Sequence, residues 1–249
     1  MEIRKNLVKE KLAAGGVACV VTGLNSSEDI DAFGLSGFDG IWLEGEHGGV
    51  GPADLGDLTR ACDIWGMTSI VRLNRNDQGL IYRTLDRGAQ GIVIPHVNTA
   101  SEARNIVDGA KFAPIGHRGL YTGRQGYGVS DYVKVANEET LLVALVEDIA
   151  SVRALDEILA VEHIDVFFVA PADLAASMGH IGDHTHPEVQ EVIDTTMGRI
   201  RDAGRVAGAI GSADTVEHQV AAGARFLLTG VNAWIAAGAA DYLRRVAQG

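Results

Sequence analysis

Residues 141–147 read Leu-Leu-Val-Ala-Leu-Val-Glu, an uninterrupted apolar run that ends on an acid. A second apolar run, residues 166–169, leads through Ala-Pro-Ala to Asp173. Short runs of this kind are typical of strands that are buried on both faces, as in a parallel sheet. An acid at the carboxyl end of such a strand needs a cation to offset its desolvation. We therefore predict that Glu147 and Asp173 form a divalent-cation site.

Short apolar runs alternate with helical patterns over nearly the whole chain, without a linker of the domain-boundary type. Eight such runs in this alternation predict one (β/α)8 barrel domain over residues 1–249. A doubly wound parallel sheet has the same local pattern and is the alternative. The predicted strands are residues 17–21, 40–43, 69–73, 91–94, 141–146, 166–169, 205–210 and 225–228.

The composition excludes several classes of function. A formal charge of -12 argues against nucleic acid or an anionic membrane as a partner. No apolar run is long enough for a membrane span, and Cys19 and Cys62 are too few for a disulfide framework, which indicates free thiols and a cytoplasmic location. None of the five lysines ends a predicted strand, which argues against a Schiff-base mechanism.

Further polar residues lie at the ends of other predicted strands. Arg72 ends the third run, where a cation can face the two acids and stabilise a developing oxyanion; a structural ion pair is the alternative. His47 follows the second run and is a candidate for proton transfer, with Glu44 and Glu46 as supporting groups. Asp86 is interpreted either as a helix-surface ion pair or as a carboxylate that orients His47.

Two loops stand out. Residues 114–130 hold five glycines, two arginines and two tyrosines, and we predict a lid or an interface segment there. Residues 180–187 contain His180, His184 and His186, but the helix start at Pro187 favours a solvated connection over a metal site.

Six short motifs together resemble the HpcH/HpaI family of class II metal-dependent aldolases, over roughly residues 15–236. Such enzymes cleave or form 4-hydroxy-2-oxo acids, using pyruvate or an analogue such as hydroxypyruvate together with an aldehyde. The motifs are Glu-Gly-Glu-His at 44–47, Leu-Asp-x-Gly-Ala at 85–89, Val-x-Thr-Ala-x-x-Ala at 97–103, Val-Glu at 146–147, Pro-Ala-Asp-Leu at 171–174 and His-Pro-Glu-Val at 186–189.

The resemblance implies a (β/α)8 barrel that assembles as a hexamer, a trimer of dimers with exchanged C-terminal helices. It implies that Glu147 and Asp173 hold Mg²⁺, Mn²⁺ or Co²⁺, with Ala172 and Asp173 against the substrate carboxylate.

The resemblance also implies roles for the remaining polar residues. Arg72 is expected to stabilise the enolate oxygen, and His47, supported by Asp86, to accept the proton. The glycine-rich loop near residues 118–127 is expected beside the site, formed within the chain or with a neighbouring subunit.

Two positions depart from the family pattern. Glu44 stands where aspartate is usual, and Leu145 replaces a glutamine on the same side of the strand as Glu147, a change expected to alter substrate binding. The alternatives are an acyl-CoA lyase or decarboxylase with the same site, for which Arg118 and Arg124 are the only basic residues near the predicted mouth, and a non-catalytic barrel that binds an oxo acid. A phosphorylated aldehyde, bound near residues 211–212 and 230, also stays open.

Overall fold

The computed structural model describes residues 1–248, which form a closed barrel of eight parallel strands in sequential order. Strand β8 pairs with β1, which closes the sheet and excludes the doubly wound alternative. The predicted (β/α)8 class is therefore confirmed, with strand bounds within two residues of those expected. The strands are β1 Ala18–Thr22, β2 Gly40–Glu44, β3 Thr68–Arg72, β4 Gly91–Ile94, β5 Leu141–Val146, β6 Val166–Val169, β7 Val206–Ile210 and β8 Ala224–Gly230.

Helices surround the barrel and connect successive strands. A single 3-10 turn, Arg124–Gly126, lies in the glycine-rich segment between β4 and β5. The α-helices are α1 Leu7–Ala13, α2 Ser27–Phe33, α3 Leu55–Ile64, α4 Gln78–Asp86, α5 Ala100–Ala110, α6 Tyr132–Glu139, α7 Ile149–Arg153, α8 Leu155–Leu159, α9 Pro171–Ser177, α10 Pro187–Asp202, α11 Val216–Ala221 and α12 Val231–Val246.

The interior of the barrel is filled with apolar side chains from alternate strand positions. Trp42, Phe168 and Phe226 form its centre, with ring centroids of adjacent pairs 5.6 and 6.1 Å apart. Gly208 leaves space for this packing, because a Cβ at that position would lie 2.6 Å from the Phe168 ring. Helix α1 adds Val8 and Leu12 to the same cluster. Since α1 precedes β1, it seals the amino-terminal end and leaves the carboxyl-terminal end as the open mouth.

Helix α12 contrasts with the other helices because most of its apolar side chains face solvent. Val231 alone is buried among its residues, whereas Ile235, Tyr242 and Leu243 are exposed. An unpaired apolar helix surface of this kind is typical of a contact with another chain. The exchange of this helix between subunits stays a prediction. Within residues 1–248, no helix combines the length and apolar character that crossing a membrane requires.

Candidate active site

Three carboxylates lie near one another at the mouth of the barrel. Glu147 follows β5 directly, Asp173 is the third residue of α9 after β6, and Glu46 follows β2. The Glu147 residue is only 2% exposed, and its Oε1 accepts the backbone N–H of His96 at 2.7 Å. Burial raises the pKa of Glu147, the His96 N–H opposes this, and the nearby charges of Asp173 and Glu46 raise the pKa further. These acids therefore share one electrostatic environment, as the sequence predicted for Glu147 and Asp173.

The donor set at the mouth fits a divalent cation. Within residues 1–248, Glu147 Oε2 and the Asp173 carboxylate accept no hydrogen bond, so both can take another ligand. A buried carboxylate beside further carboxylates is unfavourable unless positive charge compensates it. Oxygen donors from two acids, with room for water or substrate, suit Mg²⁺ or Mn²⁺. The assignment of these residues as ligands stays a prediction.

Arg72, at the end of β3, is held by the acids of the β2 motif. Its Nε and Nη2 atoms both lie 2.7 Å from Glu44 Oε2, and its Nη1 lies 3.1 Å from Glu46 Oε2. Of these contacts, only that of Nε has the geometry of a hydrogen bond, so N–H groups on both terminal nitrogens stay available. Arg72 thus forms the structural ion pair that the sequence offered as an alternative, and its role towards an oxyanion stays a prediction.

Glu44 is the anchor of this arrangement. Its Oε1 accepts the backbone N–H groups of Glu46 and His47 at 2.8 and 3.0 Å, and its Oε2 accepts Trp42 Nε1 at 3.2 Å. Burial would raise the pKa of Glu44, but the bonds from Arg72 and the two N–H groups lower it overall. The glutamate at this position, where aspartate is usual in the family pattern, holds both the turn and Arg72.

His47 lies at the rim of the mouth. Its side chain is 71% exposed, and its Nε2 is 3.7 Å from Glu46 Oε2, too far for a strong hydrogen bond. The imidazole is therefore free to meet a substrate.

The structure does not bring Asp86 to His47 within one chain. Asp86 is the last residue of α4, a helix that runs back from the mouth, so it lies at the amino-terminal end of the barrel. There its carboxylate accepts Arg118 Nη2 at 2.7 Å. The motif fixes the order of residues along the chain, but the topology places these two at opposite ends.

The glycine-rich segment also lies at the amino-terminal end, not beside the mouth of its own chain. Arg124 pairs with Asp63 at 2.5 Å, and Gln125 donates to the Gly88 carbonyl at 2.7 Å. Asp63 lies in the last turn of α3 and Gly88 follows the end of α4, and both helices run back from the mouth. The structure therefore excludes a lid over the mouth of the same chain, and the alternative of an interface segment stays a prediction. Arg118 and Arg124 also give no basic groove at the mouth, which removes the sequence argument for a CoA ligand.

The two predicted substrate-binding positions differ in accessibility. Ala172 is exposed in the first turn of α9, beside Asp173. Leu145 is 1% exposed and belongs to the interior cluster of the barrel, on the floor beneath Glu147. In place of an amide, the chain has an apolar floor under the acids.

His96 is a residue of the mouth that the sequence analysis missed. Its backbone has φ 51°, which is unusual for a non-glycine residue and costs of order 1–3 kcal/mol. This conformation directs its N–H to Glu147 and brings its Nδ1 within 2.9 Å of Asp148 Oδ2 and 3.5 Å of Glu147 Oε1. The hydrogen bond with Asp148 raises the pKa of His96. Its place two residues after β4 was a usable signal, because the other mouth residues also follow strand ends.

Comparisons with known proteins agree with this geometry. The model of the HpcH/HpaI aldolase/citrate lyase family matches residues 20–242. A hydroxypyruvate/pyruvate aldolase of Roseovarius nubinhibens is 36% identical over 236 residues, covering 91% of each chain. A 2-keto-3-deoxy-L-rhamnonate aldolase of Escherichia coli is 35% identical over 243 residues, covering 95% of this chain and 91% of the relative.

Solved structures show the same architecture. An HpcH/HpaI aldolase from Desulfitobacterium hafniense has a TM-score of 0.87 at 28% identity, covering 96% of this chain and 95% of that one. A family protein from Burkholderia cenocepacia has a TM-score of 0.91 at 27% identity, covering 97% and 99%. The aldolase relatives support the predicted carbon–carbon lyase, in a family that includes divalent-metal-dependent aldolases. The chain belongs to the HpcH/HpaI aldolase/citrate lyase family.

Proposed function

We propose that this aldolase cleaves or forms 4-hydroxy-2-oxo acids, with a pyruvate or hydroxypyruvate enolate as one half and an aldehyde as the other. The observation that carries the proposal is the meeting of Glu46, Glu147 and Asp173 with Arg72 at the open end of the barrel. The names of the two relatives support a 2-oxo acid as the substrate class.

Glu147 and Asp173 would hold the divalent cation, for which Mg²⁺, Mn²⁺ and Co²⁺ are the candidates. When bound, the cation supplies Lewis-acid polarisation of the substrate carbonyl. The identity of the metal is part of the proposal. We also propose that Ala172 and Asp173 contact the substrate carboxylate.

His47 accepts a proton from the substrate, and Arg72 stabilises the negative charge that develops on it. In the cleavage direction, the His47 imidazole accepts the proton of the 4-hydroxyl group. The electron pair of that O–H bond forms the aldehyde carbonyl, and the C3–C4 bond breaks to leave an enolate. Terminal N–H groups of Arg72 donate to the enolate oxygen. A proton from solvent water is then added to C3, which completes the 2-oxo acid, and His47 returns its proton to solvent. Addition to an aldehyde follows the reverse path.

Exchange of the methyl protons of pyruvate with D₂O tests the enolisation half-reaction without the unknown aldehyde. We expect metal-loaded protein to exchange these protons. Treatment of the protein with a chelator should stop the exchange, and addition of Mg²⁺, Mn²⁺ or Co²⁺ should restore it. A non-catalytic barrel would bind pyruvate and leave its protons in place. Exchange that persists after exhaustive chelation would reject a metal aldolase.

We further propose a homo-oligomer, with the hexamer as the expected form, in which α12 and the glycine-rich segment lie at contacts between copies. Ile235 on α12 and Leu120, Tyr121 and Tyr127 in that segment are exposed apolar side chains. The segment borders a pocket of 320 Å³ that contains Arg60, Arg83 and other arginines. Its positive charge complements the acidic mouth of a second chain. Sedimentation should give an oligomer for the native protein and smaller species for Ile235→Asp.

A further inference from the structure

A second cluster of metal-ligating side chains lies outside the mouth, where α9 connects to α10. It consists of His180, His186 and Glu188, and one ligand atom from each lies within 4.8 Å of the other two. The loop between the helices, residues 178–186, is called the histidine loop below. Sequence alone favoured a solvated connection there, because the spacing did not show that the ends of this loop meet.

One pair of donor atoms is already close to the spacing of a coordination shell, and the third donor lies within 4.8 Å of both. His180 Nε2 lies 3.2 Å from Glu188 Oε2, and the rings of His180 and His186 stack with centroids 3.8 Å apart. Tetrahedral zinc with bonds of about 2.0–2.1 Å places its donor atoms roughly 3.4 Å from one another. Two imidazoles and one carboxylate form a donor set that suits Zn²⁺ better than Mg²⁺.

The backbone holds these ligands in place from two sides. His186 and Glu188 flank Pro187 at the start of α10, where helix geometry fixes their positions. The His180 N–H donates to the Ala175 carbonyl at 2.8 Å, which anchors the loop to the end of α9. Gly179 and Gly182 have φ of 91° and 75°, and these left-handed turns fold the loop back towards α10.

The side chain of His186 can turn towards the other two ligand atoms. His186 Nδ1 accepts the Glu188 N–H at 3.3 Å, a long and weak bond that rotation of the ring can release. Such a rotation is required, because stacked rings do not direct their lone pairs at one point.

We propose that His180, His186 and Glu188 form a second metal site, specific for imidazole-preferring transition cations such as Zn²⁺, which ties the histidine loop to α10. This site is distinct from the acidic mouth and does not depend on the proposed aldolase reaction. A water molecule would complete the coordination, as in other zinc sites with three protein ligands.

Calorimetric titration with Zn²⁺ tests the site in the full-length protein and in the variant Glu147→Gln. This substitution weakens metal binding at the mouth of the barrel. We expect both proteins to bind one equivalent of Zn²⁺ that depends on the histidine side chains of the loop. His180→Ala and Glu188→Gln should each weaken this equivalent at least about tenfold. The matched control is His117→Ala, since His117 pairs with Asp108 at 3.0 Å but belongs to no three-ligand group among residues 1–248; it should leave binding unchanged.

The visible spectrum of Co²⁺ bound to the protein gives a readout that does not involve activity. Tetrahedral coordination produces strong d–d bands, which we expect in the native protein and in Glu147→Gln but not in His180→Ala. If Zn²⁺ affinity and the Co²⁺ spectrum survive His180→Ala, or disappear only with Glu147→Gln, the second site is disproved. If the native protein shows the Co²⁺ bands but binds no further metal equivalent that Glu147→Gln removes, the proposed function is contradicted and this site still stands.

Discussion

The two ends of the barrel carry many charges but arrange them differently. At the mouth, Glu147 is buried beside other acids, with the N–H and the ring of His96 against it, and Arg72 is shared by Glu44 and Glu46. At the amino-terminal end, acids and bases pair directly, as Arg118 does with Asp86 and Arg124 with Asp63. An excess of acids marks the end where we propose that a cation and substrate bind, whereas direct ion pairs mark the end that maintains the fold. Within one chain, substitutions at the mouth should therefore lower activity, and those at the amino-terminal end should lower stability.

Glu147→Gln should give the largest effect and the clearest separation of the two properties. The amide keeps the shape but removes a metal-binding charge, so we expect D₂O exchange of pyruvate to fall by about a thousandfold or more. Because the buried charge is removed as well, the unfolding midpoint should stay equal or rise. Glu157→Gln, at an exposed position on α8, is the control for both assays. A stability loss equal to the activity loss would show that Glu147 is structural.

Arg118→Met tests the opposite end. The Arg118 side chain is 1% exposed, pairs with Asp86 and lies 4.5 Å over the Phe112 ring. Removing one partner of a buried pair costs about 3–5 kcal/mol, so the urea midpoint should fall strongly. Arg87→Met removes an exposed arginine from the same end and should change the midpoint little. Equal effects of the two variants would show that the Arg118–Asp86 pair does not stabilise the fold.

Arg72→Ala acts at the mouth through charge stabilisation. Loss of one preorganised donor costs on the order of 2.7–4 kcal/mol in the transition state, so turnover should fall by hundreds-fold. Arg72→Lys keeps the charge but loses the fork that meets Glu44 and Glu46, and we expect an intermediate rate. Near-normal turnover in Arg72→Ala would remove this residue from the mechanism.

Sequence predicted the barrel well because each strand carries its own local signal. The acids after β5 and β6 were found by the same rule, since the end of a buried parallel strand always faces the mouth. Asp86 was different: its role came from a motif match, whereas the predicted topology already places the last residue of a helix that follows a strand at the amino-terminal end. His96 was missed because its role depends on a left-handed backbone conformation and on its backbone N–H. The identity of a residue as histidine predicts neither of these.

The histidine loop illustrates the same limit. His180 and Glu188 are eight positions apart, and only the folding of the loop over two glycines brings them to 3.2 Å. Likewise, Glu44 stood out in sequence only as a departure from the family pattern, and its hydrogen bond with Arg72 was not predicted. Contacts that depend on loop geometry could not be read from spacing.

A mixing experiment asks whether the two ends meet between copies. Asp86 lies far from His47 in its own chain, but the proposed contact places the arginine-rich end of one chain at the acidic mouth of another. Asp86→Asn and Glu147→Gln should each be impaired alone, and coexpression should restore part of the activity, because some mouths then have both carboxylates. Mixed oligomers of Glu147→Gln with Asp173→Asn are the control and should stay inactive. If coexpression of Asp86→Asn with Glu147→Gln restores no activity, Asp86 does not contribute to the mouth of a second chain.

Lys111 offers the smallest and most specific test, at the stable end. Its Nζ is buried and donates to the carbonyls of Asn137 and Thr140 at 2.6 and 2.7 Å, with no carboxylate bonded to it. Burial, and then the charge of Lys9, lower the pKa of Lys111 from 10.5 to about 7. Between these values the unfolded chain holds a proton that the folded chain lacks. The unfolding free energy should therefore rise with pH across this window, by at most about 1.4 kcal/mol per pH unit.

Lys111→Met should flatten this rise, because methionine fills a similar volume and binds no proton. Urea unfolding at about pH 7.5 and about pH 9.5 measures the slope directly. Lys134→Met removes an exposed lysine and should keep the native slope. If Lys111→Met has the same pH dependence of the unfolding free energy as the native protein, then Lys111 is protonated in the folded protein. The two carbonyls and their surroundings then compensate a full positive charge. The amino-terminal end would then stabilise a charge with carbonyl groups alone, which would sharpen its contrast with the mouth, where a carboxylate, Glu147, lies 3.5 Å from the His96 ring.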